Sequence, residues 1–183
     1  MIEFIHTALP EVLLVKSEAY SDERGYLLET YRQREFAGAG IPLPFVQDNH
    51  SSSRGGSLRG LHYQVRFPQG KLIRVVAGEV FDVAVDVRQG SPTLGSWTGI
   101  NLSAENRLQL WIPPGFAHGF YVTSPAADVV YKMTEYYRPE WERTIRWDDP
   151  DIGIRWPLEG GSPPLVSERD QAGLPFARAE KVE

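Results

Sequence analysis

The sequence predicts an all-β fold, an antiparallel sandwich or barrel, from three observations. Short segments alternate between apolar and polar residues, turn residues separate them roughly every 8 to 15 positions, and no long amphipathic helix is available to cross between parallel strands. The cleanest alternation is in KLIRVVAGEVFDVAVDVR (71–88). After Gly78 it sets Phe81, Val83, Val85 and Val87 on one face and Asp82, Ala84 and Asp86 on the other, so it reads as two strands joined at AGE.

In chain order, the strand candidates begin with VLLVKSEAY (12–20) and GYLLETY (25–31), on either side of the turn DERG. LRGLHYQV (58–65) follows SSSRGG and precedes the 71–88 pair. GSWTGINLS (95–103), RLQLWIP (107–113), HGFYVTS (118–124) and DVVYKMTEYY (128–137) complete the set, with RQGSPT, SAEN and PPGF as the turns. Helix is confined to YRQREFAGAG (31–40), which Gly38 or Gly40 would end, and a turn at ERDQAG (168–173). From about residue 138 the chain is dense in Pro, Gly and charge, yet Trp141, Trp147 and Trp156 argue against a disordered tail. The expectation is one domain over residues 1–183, with 138–183 wrapped over the barrel and contributing to a site.

Composition narrows the function. With no cysteine, disulfides, thiolate catalysis, iron–sulfur clusters and Cys-type zinc sites are excluded together, and any metal must use His and carboxylate. A net charge of −5 argues against nucleic acid as a partner, although a few Arg and Lys can still serve one diphosphate. No apolar run approaches the roughly 18 residues that would span a bilayer. The first twenty residues lack an export-signal pattern, so the expected location is the cytoplasm.

Two motifs carry chemistry. WIPPGFAHGF (111–120) places Pro113, Gly115 and His118 as P-x-G-x-x-H before a strand, which resembles the second motif of the cupin, or jelly-roll, superfamily. GLHYQ sits where metal cupins carry H-x-H, but reads H-x-Q. Residues i and i+2 share a strand face, so Gln64 replaces a second imidazole ligand with a poor one. His62 thus has three readings from its residues alone: a satisfied core histidine, a metal ligand, or a general base. Arg59 and His62, three apart, would point to opposite faces of a regular strand, so a shared site requires an irregularity near Gly60.

FVQDNHSSSRGGSLRGLHYQ, PQGKLIRVVAGEVFDVAVDVRQGSPTLG, LWIPPGFAHGF, VVYKMTEYY, ERTIRWDDPDIGIRWP and LVSERD run in order over roughly residues 5 to 172. Together they resemble the dTDP-4-dehydrorhamnose 3,5-epimerase family of cupins. The resemblance implies a jelly-roll homodimer, free of metal and cofactor, acting on a dTDP-4-keto-6-deoxyhexose. It implies His62 as base, Asp170 as the carboxylate orienting it, Tyr131 as acid and Lys71 near the developing enolate oxygen. Arg24, Glu29, Gln47, Asp48, Asn49, Arg59, His118, Glu142 and Arg169 are implied to bind nucleotide and sugar, with some of Arg24, Tyr26 and Glu29 completing a partner's site. Two departures stand out: Arg169 replaces a common Lys, and Leu27 stands where an aromatic is common. Three alternatives remain on sequence: an epimerase acting at C3 or C5 alone, a metal-dependent cupin enzyme, and a silent sugar-binding cupin.

Overall fold

The computed structural model describes residues 1–41, 44–158 and 163–183; residues 159–162, within the 138–183 stretch, lie outside it. Two antiparallel sheets face each other. One has six strands in the order β1 (Ile2–His6), β2 (Leu13–Ser17), β10 (Gln109–Ile112), β7 (Lys71–Ala77), β12 (Ala126–Met133), β5 (Gln47–Arg54). The other has five: β13 (Glu142–Thr144), β6 (Leu58–Gln64), β11 (Phe116–Val122), β8 (Glu79–Asp86), β9 (Trp97–Ser103). From β5 to β12 the chain alternates between the sheets except at the β8–β9 hairpin, which is the winding of a jelly roll. β3 (Ala19–Asp22) and β4 (Gly25–Leu28) form a separate hairpin, and the described α-helices are α1 (Gln33–Gly38) and α2 (Glu168–Gln171), with short 3-10 turns at Pro139–Trp141 and Phe176–Arg178. None is long and apolar enough to cross a membrane.

The alternation in 79–87 sorts two cores. Val80 and Ala84 point between the sheets, against Ile73, Val75, Leu110, Ile112 and Val129 of the facing sheet. Val83, Val85 and Val87 point outward, and the chain beyond residue 138 covers them with Ile145, Ile152, Ala179 and Val182. Each well-buried branched side chain stabilises by about 1.5–3 kcal/mol. Ile145, Ile152 and Val182 alone therefore anchor that segment firmly, and it carries α2 to the cavity end of the barrel.

Three strands fall outside the sequence candidates. β5 reads QDNHSSSR and has no apolar residue to betray it, because it is an edge strand whose inner face lines a polar cavity. β1 is also an edge strand, with Ile2 and Phe4 packed on the outer core around Phe36. β13 has three residues, too few to show a period. The candidate at 12–20 divides at Glu18 into β2 and β3.

The expected irregularity is present in β6. Arg59 pairs with Phe120 and His62 with His118, so three steps on β6 match two on β11, and one extra residue is accommodated. Gly60 has φ +121°, a conformation that residues with a side chain rarely adopt. A Cβ on it would meet Gly119 Cα at 2.6 Å and the His118 carbonyl oxygen at 2.7 Å. The bend thus depends on two glycines packed backbone to backbone. Gly60→Ala is expected to destabilise the protein by at least about 2 kcal/mol, read as a lower urea midpoint with unchanged slope.

Candidate active site

The bend turns His62 and Arg59 into one cavity of about 210 Å³ at the end of the barrel, lined also by Asn49, Lys71, His118, Tyr131, Glu142 and Arg169. His62 and His118 come from the five-stranded sheet, Lys71, Tyr131 and Asn49 from the six-stranded one. His62 and Tyr131 thus stand on opposing walls.

Asp170 holds His62 from behind. Ser167 caps α2, its Oγ accepting from the Asp170 N–H at 3.1 Å, which aims the carboxylate inward. Asp170 Oδ1 lies 2.5 Å from His62 Nε2, and Oδ2 accepts the Gly60 N–H at 3.2 Å. One carboxylate therefore serves both the base candidate and the bend that presents it. Burial alone would raise the Asp170 carboxyl, but the hydrogen bond and charge of His62, with the Gly60 and Ser167 bonds, outweigh it and hold the group below its ordinary value. An ionised carboxylate only accepts, so Nε2 carries the proton and a neutral His62 keeps its lone pair on Nδ1.

Lys71 and His118 form the floor. Lys71 is 7% exposed and donates through Nζ to the His62 carbonyl at 3.4 Å. Burial pushes its ammonium down to about 8, against the upward pull of Asp82's charge. His118 Nε2 lies 3.0 Å from both oxygens of the fully buried Asp82. Burial pushes the His118 ring below its ordinary value despite Asp82, and the charges of Lys71 and His62 add to that depression.

The rim is an interlocked polar set. Tyr137 donates to Glu142 at 2.6 Å, Glu142 pairs with Arg169, and Arg169 donates to the Tyr137 hydroxyl at 3.5 Å. Arg59 Nε donates to Ser53 Oγ at 2.9 Å. Gln47 donates to Asn49 at 3.1 Å and accepts the Tyr137 N–H at 2.9 Å, so it supports the cavity wall from outside the lining. Gln64, the residue that breaks H-x-H, spends its amide on backbone: Oε1 accepts from Arg138 N–H at 2.7 Å and Nε2 donates to the Phe67 carbonyl at 2.8 Å. Among the described residues, no group of three or more His, Asp or Glu is placed to hold a metal.

Three expected binding residues lie elsewhere. Asp48 points to the outer face of its sheet, where it pairs with Lys132 at 3.0 Å beside a groove of about 410 Å³, because strand residues alternate and its neighbours Gln47 and Asn49 take the inner face. Arg24 sits on the exposed β3–β4 hairpin and pairs with Asp22 at 2.5 Å. Glu29 follows that hairpin and pairs with Arg32 at 2.5 Å. Sequence reasoning passed over Ser51, Gln69, Phe120, Met133 and Tyr137, which line the cavity. For Ser51 a signal existed in the parity it shares with Asn49; for Tyr137, in a loop, there was none.

The family model described as dTDP-4-dehydrorhamnose 3,5-epimerase matches residues 6–178. The chain belongs to this family. A dTDP-4-dehydrorhamnose 3,5-epimerase of Pseudomonas aeruginosa is 55% identical over 94% of this chain and 95% of its own length. One of Neisseria gonorrhoeae is 57% identical over 98% of this chain, which spans 54% of that relative. The crystal structure of a dTDP-6-deoxy-D-glucose-3,5-epimerase from Legionella pneumophila in complex with dTDP-4-keto-L-rhamnose superposes with a TM-score of 0.95 at 48% identity, covering 98% of this chain and 95% of that one. These epimerases share the cupin jelly roll seen here.

The buried lysine has a measurable consequence. Between about pH 8 and the usual lysine value near 10.4, the unfolded chain binds a proton that the folded one has released, so stability rises with pH across that window. Relative to Lys71→Met, the parent protein is expected to gain about 3 kcal/mol from pH 8 to 10.5, read by urea denaturation at each pH.

Proposed function

We propose that the chain inverts C3 and C5 of dTDP-4-dehydro-6-deoxy-D-glucose to give dTDP-4-dehydro-L-rhamnose, with His62 as base and Tyr131 as acid. The observation that carries this reading is the opposition of His62, backed by Asp170, to Tyr131 across one cavity. Both carbons flank the C4 ketone, so their protons are acidic through an enolate. His62 Nδ1 takes the proton from one face, the electron pair of the C–H bond passes into the enolate, and the Tyr131 hydroxyl returns a proton to carbon from the other face. His62 then loses its proton, and Tyr131 regains one, through solvent. Asp170 fixes the imidazole tautomer and stabilises the imidazolium, as a carboxylate behind a catalytic histidine does. The Lys71 ammonium meets the charge that develops on the C4 oxygen. No cofactor enters these steps.

Arg59 and Arg169, with Asn49 and Glu142, face the same space and suit a sugar diphosphate: guanidinium forks bind phosphate oxygens, and the amide and carboxylate take sugar or base hydrogen bonds. In the single chain the β3–β4 hairpin exposes Tyr20, Tyr26 and Leu27 by 59%, 54% and 73% and does not line the chain's own cavity. Our reading is a homodimer in which this hairpin, with Arg24 and Glu29, closes the partner's site; so much exposed apolar surface on one projecting element supports it.

In deuterated water with the 4-keto sugar nucleotide, NMR is expected to show exchange at both C3 and C5. His62→Ala should lower exchange by about 100- to 10,000-fold, while Tyr131→Phe should retain part of the exchange and lose inversion. Exchange at one carbon only indicates a mono-epimerase; exchange at neither sinks the reading.

A further inference from the structure

Asp82 bonds to nothing that the proposed steps use directly, yet it is the carboxylate beneath both cationic candidates of the floor. It lies on β8 beside β11, where its register partner is Phe120, so His118 is its diagonal neighbour on the same inner face. Both Asp82 oxygens face His118 Nε2 at 3.0 Å, which fixes the proton on that nitrogen and leaves Nδ1 as the acceptor of a neutral ring. Lys71, across the barrel on β7, is buried, and among the described residues its hydrogen-bond acceptor is a backbone carbonyl. A buried ammonium is costly without a nearby negative charge.

We propose that Asp82 is a positioning residue for the epimerisation, holding His118 in one tautomer and keeping Lys71 charged where the enolate oxygen develops. The proposal rests on the epimerase reading and adds a residue that the lining alone does not reveal. The groups facing Lys71 are His62 on β6, Asp82 on β8, His118 on β11 and Tyr131 on β12. Toward the rim stand Arg59, Glu142 and Arg169. Asp82 is the opposite charge that supports Lys71, while His62 and His118 add positive charge only if protonated. Removing the Asp82 charge therefore lets Lys71 release its proton at lower pH.

Asp82→Asn tests this, because the amide oxygen still accepts from His118 while the charge is gone. The basic limb of kcat/KM, which reports free-enzyme groups, is expected near pH 8 in the parent protein and lower by about one unit or more in the variant. In a Lys71→Met background the Asn substitution should produce no further shift. A variant that loses activity equally at every pH, or keeps the parent's basic limb, overturns the proposal. Should Asn at 82 fail to fold, the unsubstituted protein still decides: NMR signals of the His118 ring must respond at the Lys71 midpoint, and a ring blind to that titration overturns it. Absence of exchange in the parent protein counts against the epimerase reading alone, since the NMR titration needs no turnover.

Discussion

The contact between Asp170 and His62 is the constraint on which the site depends. It joins two parts of the chain that lie 108 residues apart in sequence: a strand in the five-stranded sheet and a one-turn helix in the C-terminal wrap. The same carboxylate also takes the Gly60 N–H, at the residue where the strand bends. The bend lets Arg59 and His62 face one space, Gly119 makes room for it, and Asp170 secures both the bent backbone and the imidazole it delivers. The C-terminal segment is thus held by its apolar anchors so that one acidic side chain arrives in register.

The architecture keeps His62 and Tyr131 apart. A jelly roll presents two inner walls, with His62 on one and Tyr131 on the other, and in the proposed reaction this gives a planar enolate two faces with different chemistry. Lys71, His118 and Asp82 are buried together, so the Asp82 charge bears on the protons of Lys71 and His118, and in the proposed reaction the sugar's oxygen meets an ammonium that solvent screens little.

Much of this was legible before any coordinates. The 79–87 alternation marks a strand with one apolar face, which the structure covers on both sides, and the spacing of Arg59 and His62 requires the bend that the β6–β11 register shows. β5 was hidden because a strand that lines a polar cavity at a sheet edge carries no hydrophobic period. The site divides the same way. Asp170, His62, Lys71 and Tyr131 converge, whereas Asp48 follows strand parity to the outer face, and Arg24 on the β3–β4 hairpin and Glu29 just after it do not line this chain's cavity. A motif names residues that meet a ligand; it does not say on which subunit or face they do so. Gln64 shows the converse, since its departure from H-x-H marks a backbone clamp that no pattern around GLHYQ foretells.

In the proposed mechanism Asp170 makes His62 a base, and Asp170→Asn is the substitution that tests this. The asparagine keeps the size of the side chain but removes the charge and permits the wrong tautomer of the imidazole. Proton exchange at the sugar carbons should fall by about 100- to 10,000-fold while dTDP binds as tightly as before and the fold persists. Exchange at the parent rate in a folded Asp170→Asn protein would contradict it.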